Sequence, residues 1–283
     1  MPYLSVSLSL RLLAAAATAS TLAAALPAPP QSRMVMPWMC LEDCGASASA
    51  IAAQLRQLAM PGAFTAASFE DYDLGLNGTI YKKTPRSRVS GALRALGLQT
   101  HAMVVSWDLN AIRAAFAAPA AFIDSVVANV IAEGNITAIN FDFEPHGSAP
   151  PVGPVPTPAD GAAYVDFLNT VSDALHARGV LVSVDIATWS AFWDYSSLGA
   201  SRVDWLCDME SYNPDFDAFQ KQVAFAKAHL PPEKYVVGLE DHPSFNETDV
   251  AERFAVLRSA GIRKIAVWST PMPAMWMPFI EAF

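Results

Sequence analysis

The sequence predicts a single-domain α/β protein with eight βα units closed into a (β/α)8, or TIM, barrel. Short β-rich runs alternate with amphipathic segments along the chain. This alternation is typical of a parallel sheet, and eight units in one domain-sized chain indicate a closed barrel. Without a 25-residue leader, 283 − 25 = 258 residues remain, and such barrels have about 250. The alternative is an open doubly wound sheet, but no Gly-rich phosphate loop follows the first predicted strand.

The first 25 residues have the layout of a secretory signal peptide. Residues 1–11 carry one cationic side chain, Arg11, and residues 12–25 are almost wholly Leu, Ala, Ser and Thr, ending in small residues. An organelle transit peptide is the alternative, but such segments are usually Arg-rich. The apolar run is too short to span a bilayer. We therefore expect secretion without a membrane span, a Pro-rich spacer over 26–34 and a catalytic barrel over 35–283.

The charge of the chain limits its partners. After removal of the leader, 17 basic and 27 acidic residues give a net charge of −10, and there is no basic run that would bind nucleic acid. Asn77, Asn135 and Asn246 begin N-x-S/T triplets, as expected for a secreted glycoprotein. We expect a monomer.

The three cysteines do not predict a metal site. No pair among Cys40, Cys44 and Cys207 has zinc-ligand spacing matched by a second pair. Cys40 and Cys44 can form a short disulfide if the chain turns between them, or they can remain free buried thiols. Cys207 is expected to be buried and unreactive.

Eight runs are predicted to be the barrel strands, and a helix candidate follows each of them. The helix over Pro158–Arg178 is the best defined, because Thr157 can cap it and Pro158 suits its first position. It ends before Gly179, where glycine can adopt the left-handed conformation. The predicted strands are Val35–Cys40, Ala63–Phe69, Thr100–Ser106, Ile136–Phe143, Val180–Ile186, Val203–Met209, Tyr235–Leu239 and Lys264–Ser269.

The fourth predicted strand carries three polar residues on one face. Asn140, Asp142 and Glu144 alternate with Ile and Phe residues that must face the helices, so the polar side chains point into the barrel. One reading is an interior hydrogen-bond network. However, two neighbouring carboxyls repel as anions, which raises the pKa of one of them and suits a general acid. Active sites lie at the carboxyl ends of barrel strands, so Glu144 is the predicted proton donor.

The run Asn140-Phe141-Asp142-Phe143-Glu144 resembles the D-x-D-x-E motif of family 18 glycoside hydrolases, the chitinases and endo-β-N-acetylglucosaminidases. The resemblance implies that Glu144 protonates the glycosidic oxygen. It also implies that Asp142 orients the substrate's acetamido group, which acts as the nucleophile. The expected substrate is therefore an oligo- or polysaccharide containing β-linked N-acetylglucosamine, and no cofactor is expected. Asn140 departs from the motif, which usually has Asp there.

Other predicted strand ends supply the remaining site residues. Tyr212 resembles the family's tyrosine that hydrogen-bonds the acetamido group, although it follows Met209 by three residues instead of two. Trp268 ends the eighth predicted strand, where the family has a tryptophan under the cleaved sugar, and an indole face packs well on a pyranose. Further substrate-binding candidates are Asn140, Glu210, Asp185, Glu70, Trp189 and Glu240.

Two other functions remain open from the sequence. Many barrel glycosidases place an acid/base Glu after strand four and a nucleophilic Glu after strand seven, and Glu144 and Glu240 occupy those ends. The second alternative is a catalytically impaired chitinase-like lectin, which Asn140 and the imperfect match at Tyr212 keep open. Measuring hydrolysis and binding of chito-oligosaccharides separates these readings.

Overall fold

A computed structural model of the protein describes residues 33–41, 44–83, 89–145, 154–268 and 270–283. The predicted signal peptide, 1–25, and most of the predicted spacer, 26–34, lie outside these ranges. Both therefore stay predictions.

Eight parallel strands close into the predicted barrel, and a ninth strand lies outside it. The order around the barrel is β1, β2, β4, β5, β6, β7, β8, β9, and pairing of β1 with β9 closes the ring. The strands are β1 (Met34–Met39), β2 (Ala66–Leu74), β3 (Ile80–Lys82), β4 (Gln99–Ser106), β5 (Ala138–Phe143), β6 (Leu181–Ile186), β7 (Trp205–Asp208), β8 (Tyr235–Glu240) and β9 (Lys264–Trp268).

The extra strand, β3, is antiparallel to β2 and was not predicted. It follows a tight turn in which the N–H of Gly75 donates to the carbonyl of Thr79 and the N–H of Gly78 donates to that of Gly75. Gly78 has φ +73°, and a β-carbon there would lie 2.3 Å from the backbone N of Ala115. Three residues are too few to show the alternation from which strands are predicted.

At least one α-helix follows each barrel strand, as predicted. Helix α5 begins with a capping box in which Thr157 and Asp160 satisfy each other's backbone N–H groups, and Arg113 holds both carboxylate oxygens of Asp160 at 2.7 and 2.9 Å. The helices are α1 (Ala48–Leu58), α2 (Val89–Ala95), α3 (Leu109–Ala117), α4 (Pro119–Asn129), α5 (Pro158–His176), α6 (Tyr195–Ala200), α7 (Phe216–His229), α8 (Glu247–Ser259) and α9 (Met277–Ala282), and Met209–Tyr212 forms a 3-10 helix.

Two apolar cores lie on the two faces of the strands. The outer core packs the strands against the helices and includes the aromatic rings of Phe122, Phe141, Tyr164 and Phe167. The inner core fills the lower barrel with Met, Trp and small residues. The functional side chains therefore lie above a closed floor. The inner core comprises Met34, Met36, Trp38, Ala66, Met103, Val105, Ala138, Leu181, Trp205, Cys207, Val236 and Ala266.

The predicted boundary of the second strand was wrong. The sequence predicted Ala63–Phe69, whereas β2 runs over Ala66–Leu74 and contains Glu70. A register shift between Glu70 and Tyr72 interrupts its pairing with β4. Such an irregularity changes the direction of side chains next to a site. It also lets the strand continue through charged residues that would be predicted as a loop from the sequence.

The structure decides between the two readings of the cysteines. Cys40 and Cys44 form a disulfide, and Cys207 is a free, buried thiol, as predicted. Within the described ranges no single helix is long and apolar enough to span a membrane. One pair, Leu109–Ala117 with Pro119–Glu133, passes that test together but is bent by 102°.

Candidate active site

The candidate site is a cleft of about 330 Å³ at the carboxyl ends of the barrel strands. Eight of the ten site residues predicted from the sequence line it, while Asn140 and Glu210 do not. The eight are Glu70, Asp142, Glu144, Asp185, Trp189, Tyr212, Glu240 and Trp268.

Asp142 and Glu144 lie together at the end of β5. The backbone N–H of Glu144 donates to the carbonyl of Ser106 at 2.9 Å, which fixes the chain as it leaves the strand. Burial raises the pKa of Glu144, and a hydrogen bond with Asp142 opposes that shift. Burial raises the pKa of Asp142 well above its ordinary value, and the charges of Glu144 and Asp185 raise it further. The pair therefore retains a proton where two isolated carboxyls would both be ionised.

No cationic side chain of the described residues pairs with these carboxyls. Among the described residues, no lysine or arginine forms an ion pair with Asp142, Glu144 or Asp185. The Oδ1 atom of Asp142 is buried and has no hydrogen-bond partner among the residues that the structure describes. An acceptor without a donor costs free energy. This oxygen therefore has acceptor capacity that no described residue uses.

Asn140 lies beneath the cleft, where it cannot contact a substrate. It is fully buried, and its Oδ1 accepts from Trp38 Nε1 at 3.2 Å and from Ser68 Oγ at 2.7 Å. Its Nδ2 donates to Asp185 Oδ1 at 3.1 Å. This position does not support the prediction that Asn140 binds sugar, because protein groups already occupy its oxygen and one amide hydrogen. Here the reading as an interior hydrogen-bond network is correct.

Asp185, at the end of β6, is a third carboxyl in the cleft with a raised pKa. It is 1% exposed. Burial, with the charge of Glu144, raises its pKa to about 8, although the hydrogen bond from Asn140 opposes the shift. Asp142, Glu144 and Asp185 therefore carry fewer negative charges between them than three isolated carboxyls would.

Tyr212 reaches the cleft from the 3-10 helix after β7. Its ring meets the ring of Trp38 edge-on, with centroids 6.0 Å apart. The ring also packs directly over Gly238 of β8, where an added β-carbon would lie 2.7 Å from Cε1 of Tyr212. This contact could not be predicted from the sequence, because Gly238 reads as an ordinary strand residue.

Glu210 belongs to the same 3-10 helix but does not line the cleft. Its Oε2 accepts from the backbone N–H of Thr188 at 3.4 Å, which links this helix to the segment after β6. The prediction that Glu210 contacts substrate is therefore not supported by its position. In a 3-10 turn, neighbouring residues point in different directions, so Glu210 cannot share the direction of Tyr212.

Glu70 forms one wall of the cleft and is held on both sides. Its Oε1 pairs with Lys83 Nζ at 3.1 Å, and its Oε2 accepts from the backbone N–H of Leu41 at 3.2 Å. Leu41 follows Cys40, so Glu70 connects the disulfide segment to β2. The salt bridge with Lys83 therefore places a charged pair in this wall of the cleft.

Aromatic side chains form much of the remaining surface. Trp189 was predicted and is 49% exposed, with its ring 5.2 Å from that of Trp193. Trp107 was missed and is 47% exposed, with Lys83 Nζ 5.7 Å from its ring centre. Its position directly after a strand end was a signal that could have found it. Trp268 is half-buried and packs on the inner core. Other lining residues missed from the sequence are Trp38, Met103, Val105 and Met209.

Glu240, at the end of β8, also faces the cleft. Burial raises the pKa of this carboxyl, and nearby His242 opposes the shift. Its position is compatible with a nucleophile or with a ligand of sugar hydroxyls.

Solved structures share this barrel at low sequence identity. The spore cortex-lytic enzyme SleL of Bacillus megaterium QM B1551 has a TM-score of 0.72 and is 13% identical, over 89% of this chain and 74% of that chain. The chitinase of Chromobacterium violaceum ATCC 12472 has a TM-score of 0.69 and is 15% identical, over 88% and 98%. Catalytic domain 2 of the Ostrinia furnacalis Group II chitinase has a TM-score of 0.69 and is 11% identical, over 84% and 90%. These similarities show a shared fold. No protein-family model and no curated protein matches the sequence.

Proposed function

We propose that this protein is a secreted glycoside hydrolase that cleaves glycans containing β-linked N-acetylglucosamine, with Glu144 as its proton donor. The observation that carries the proposal is the half-buried pair of Asp142 and Glu144 at the mouth of the barrel, where desolvation favours retention of a proton on the pair. A carboxyl that stays protonated near neutral pH is what acid-catalysed glycoside cleavage requires. The chitinases and the cortex-lytic enzyme with the same fold support a polysaccharide as the substrate class.

In the proposed reaction, Glu144 gives its proton to the glycosidic oxygen as that oxygen leaves the anomeric carbon. The oxygen of the substrate's acetamido group attacks the same carbon and forms an oxazolinium ion. Asp142 accepts a hydrogen bond from the acetamido N–H, which would satisfy its unpartnered Oδ1, and the Tyr212 hydroxyl donates to the acetamido oxygen. Glu144, now anionic, takes a proton from the water that opens the ring.

Extracellular location is part of the proposal. A disulfide such as that between Cys40 and Cys44 is typical of proteins in oxidising compartments. The three asparagines of the N-x-S/T triplets are all exposed, so each is accessible for glycosylation. These features agree with the signal peptide predicted over residues 1–25.

The test is hydrolysis of acetylated chito-oligosaccharides by the wild type and by Glu144→Gln. We expect the variant to lose turnover by at least about a hundredfold while it keeps its fold and its sugar binding, because the amide preserves shape but cannot donate the proton. Glu252→Gln is the matched control, since Glu252 is exposed on α8 and does not line the cleft. Near wild-type turnover of Glu144→Gln would exclude Glu144 as the acid. Binding without products from the wild type would indicate a lectin.

A second comparison separates the two enzymatic mechanisms. If the acetamido group is the nucleophile, Asp142→Ala is severely impaired, Glu240→Gln is mildly affected, and matching glucosides are not cleaved. If Glu240 is the nucleophile, the order of the two variants inverts and the acetamido group becomes dispensable. Rates on one acetylated and one plain substrate decide between them.

A further inference from the structure

A buried carboxyl behind the cleft has no part in the proposed reaction. Asp208 ends β7, is fully buried and does not line the cleft. Its neighbour Cys207 faces the barrel interior, so the side chain of Asp208 points to the opposite side, towards the helices. A buried carboxyl is costly unless its oxygens are hydrogen-bonded.

Donors from four elements converge on this carboxyl. The Tyr195 hydroxyl of α6 donates to Oδ1 at 2.8 Å, and the Tyr235 hydroxyl of β8 donates to Oδ2 at 3.3 Å. The amide of Gln222, from α7, donates to both oxygens at 3.0 Å. The fourth donor is the backbone N–H of Glu210, 3.1 Å from Oδ1. The carboxyl therefore joins the outer layer of the barrel to the chain that enters the cleft.

That chain is the 3-10 helix Met209–Tyr212, of which Asp208 is the N-cap. A second anchor holds the same turn, because Ser211 Oγ donates to the carbonyls of Asp208 and Gly238 at 2.7 and 2.8 Å. Asp208 therefore holds the start of the turn, and Ser211 holds it directly before Tyr212. Tyr212 has little freedom to change the direction in which its ring enters the cleft.

We propose that Asp208 is a positioning residue, which holds the 3-10 helix so that the Tyr212 hydroxyl is aimed at the substrate. The inference rests on the proposed function of the cleft. A reacting group displaced by about 1 Å can lose up to a hundredfold in rate, so an anchor outside the cleft can control turnover without touching substrate. A residue that only stabilises the fold would act independently of Tyr212.

The test is a double-mutant cycle with Asp208→Asn and Tyr212→Phe, assayed by kcat on an acetylated chito-oligosaccharide. Asn replaces one acceptor oxygen by an NH2 group that meets donors, so at least one anchoring hydrogen bond is lost. We expect kcat to fall about tenfold or more in the wild-type background, and less than about twofold in the Tyr212→Phe background. Equal losses in both backgrounds, or a folded Asp208→Asn with wild-type kcat, overturn the proposal.

Two further variants keep the test decisive. Asp160→Asn is the matched control, because it also removes a hydrogen-bonded carboxylate, at the start of α5; it should lower the melting temperature and leave kcat unchanged. If Asp208→Asn does not fold, Tyr195→Phe removes the donor at 2.8 Å at nearly constant volume. It should lower kcat only where Tyr212 is present, and an equal loss without Tyr212 overturns the proposal.

A readout without turnover distinguishes the two hypotheses. With ring-labelled tyrosine, the NMR signals of Tyr212 can be assigned by their loss in Tyr212→Phe. We expect these signals to shift or broaden in Asp208→Asn and to remain in place in Asp160→Asn. If the wild type cleaves no acetylated glycan, the proposed function fails and this measurement still decides whether Asp208 positions Tyr212. Unchanged Tyr212 signals in Asp208→Asn overturn the positioning role even if the enzyme is active.

Discussion

Gly238 lies where β8 packs closely against the candidate site, and Gly238→Ala tests that packing. The added β-carbon would lie 2.3 Å from the carbonyl oxygen of Asp208 and 2.7 Å from Cε1 of Tyr212. Neither neighbour can move easily, because the first is backbone and the second is a ring packed near Trp38. Atoms at these separations must shift by about 1 Å, and overpacking of this kind costs about 1–3 kcal/mol.

The assay has two parts, since the clash affects both stability and the site. Urea unfolding should show a free energy of unfolding lower by that amount, and kcat should fall because the ring of Tyr212 is displaced. Gly91→Ala is the control, since its β-carbon would have one neighbour, at 3.9 Å. Ala is the better helix former in α2, so this variant should gain about 0.5–1 kcal/mol. If Gly238→Ala matched the wild type in both measurements, the close packing of Tyr212 on β8 would be refuted.

Three further predictions follow from the site and its scaffold. Trp268→Ala should weaken binding of an acetylated oligosaccharide by about 1–3 kcal/mol in calorimetric titration; unchanged affinity with a lower melting temperature would assign Trp268 to the core. The kcat should fall as pH rises through the raised pKa of Glu144, because the acid must be protonated to act. A fall of kcat already at the pKa of an ordinary Glu, about 4.3, would show that burial does not raise the pKa of Glu144. Asp160→Asn should lower stability at neutral pH by about 1 kcal/mol. Arg113 and Thr157 hold the pKa of Asp160 below its usual value. The difference in the free energy of unfolding between this variant and the wild type should therefore shrink as pH falls below the ordinary Asp range, and a difference independent of pH would contradict this prediction.

The sequence predicted the features that depend on local periodicity. Alternation of polar and apolar residues correctly placed Asp142 and Glu144 inside the barrel, because the face of a strand residue follows from its position in the strand. Thr157 and Pro158 likewise placed the start of α5 correctly. These signals are encoded within a few neighbouring residues.

Features that depend on contacts between distant segments were not predicted. Asn140 was correctly placed on the inner face. However, its side-chain oxygen accepts hydrogen bonds from Trp38 and Ser68, which lie 102 and 72 positions away in the sequence. The strand β3 exists only through pairing with β2. Gly238 is indistinguishable in the sequence from any strand glycine. In the structure, however, the carbonyl oxygen of Asp208 and the ring of Tyr212 leave no room for a side chain at this position.

Met209 and Tyr212 lie three residues apart in the turn after β7. In an extended segment, residues three apart would lie on opposite faces. The segment is a 3-10 helix, with three residues per turn, so side chains at i and i+3 lie one above the other. Met209 and Tyr212 therefore both line the cleft. The capping carboxyl of Asp208 and the absence of a side chain at Gly238 keep that helix in place.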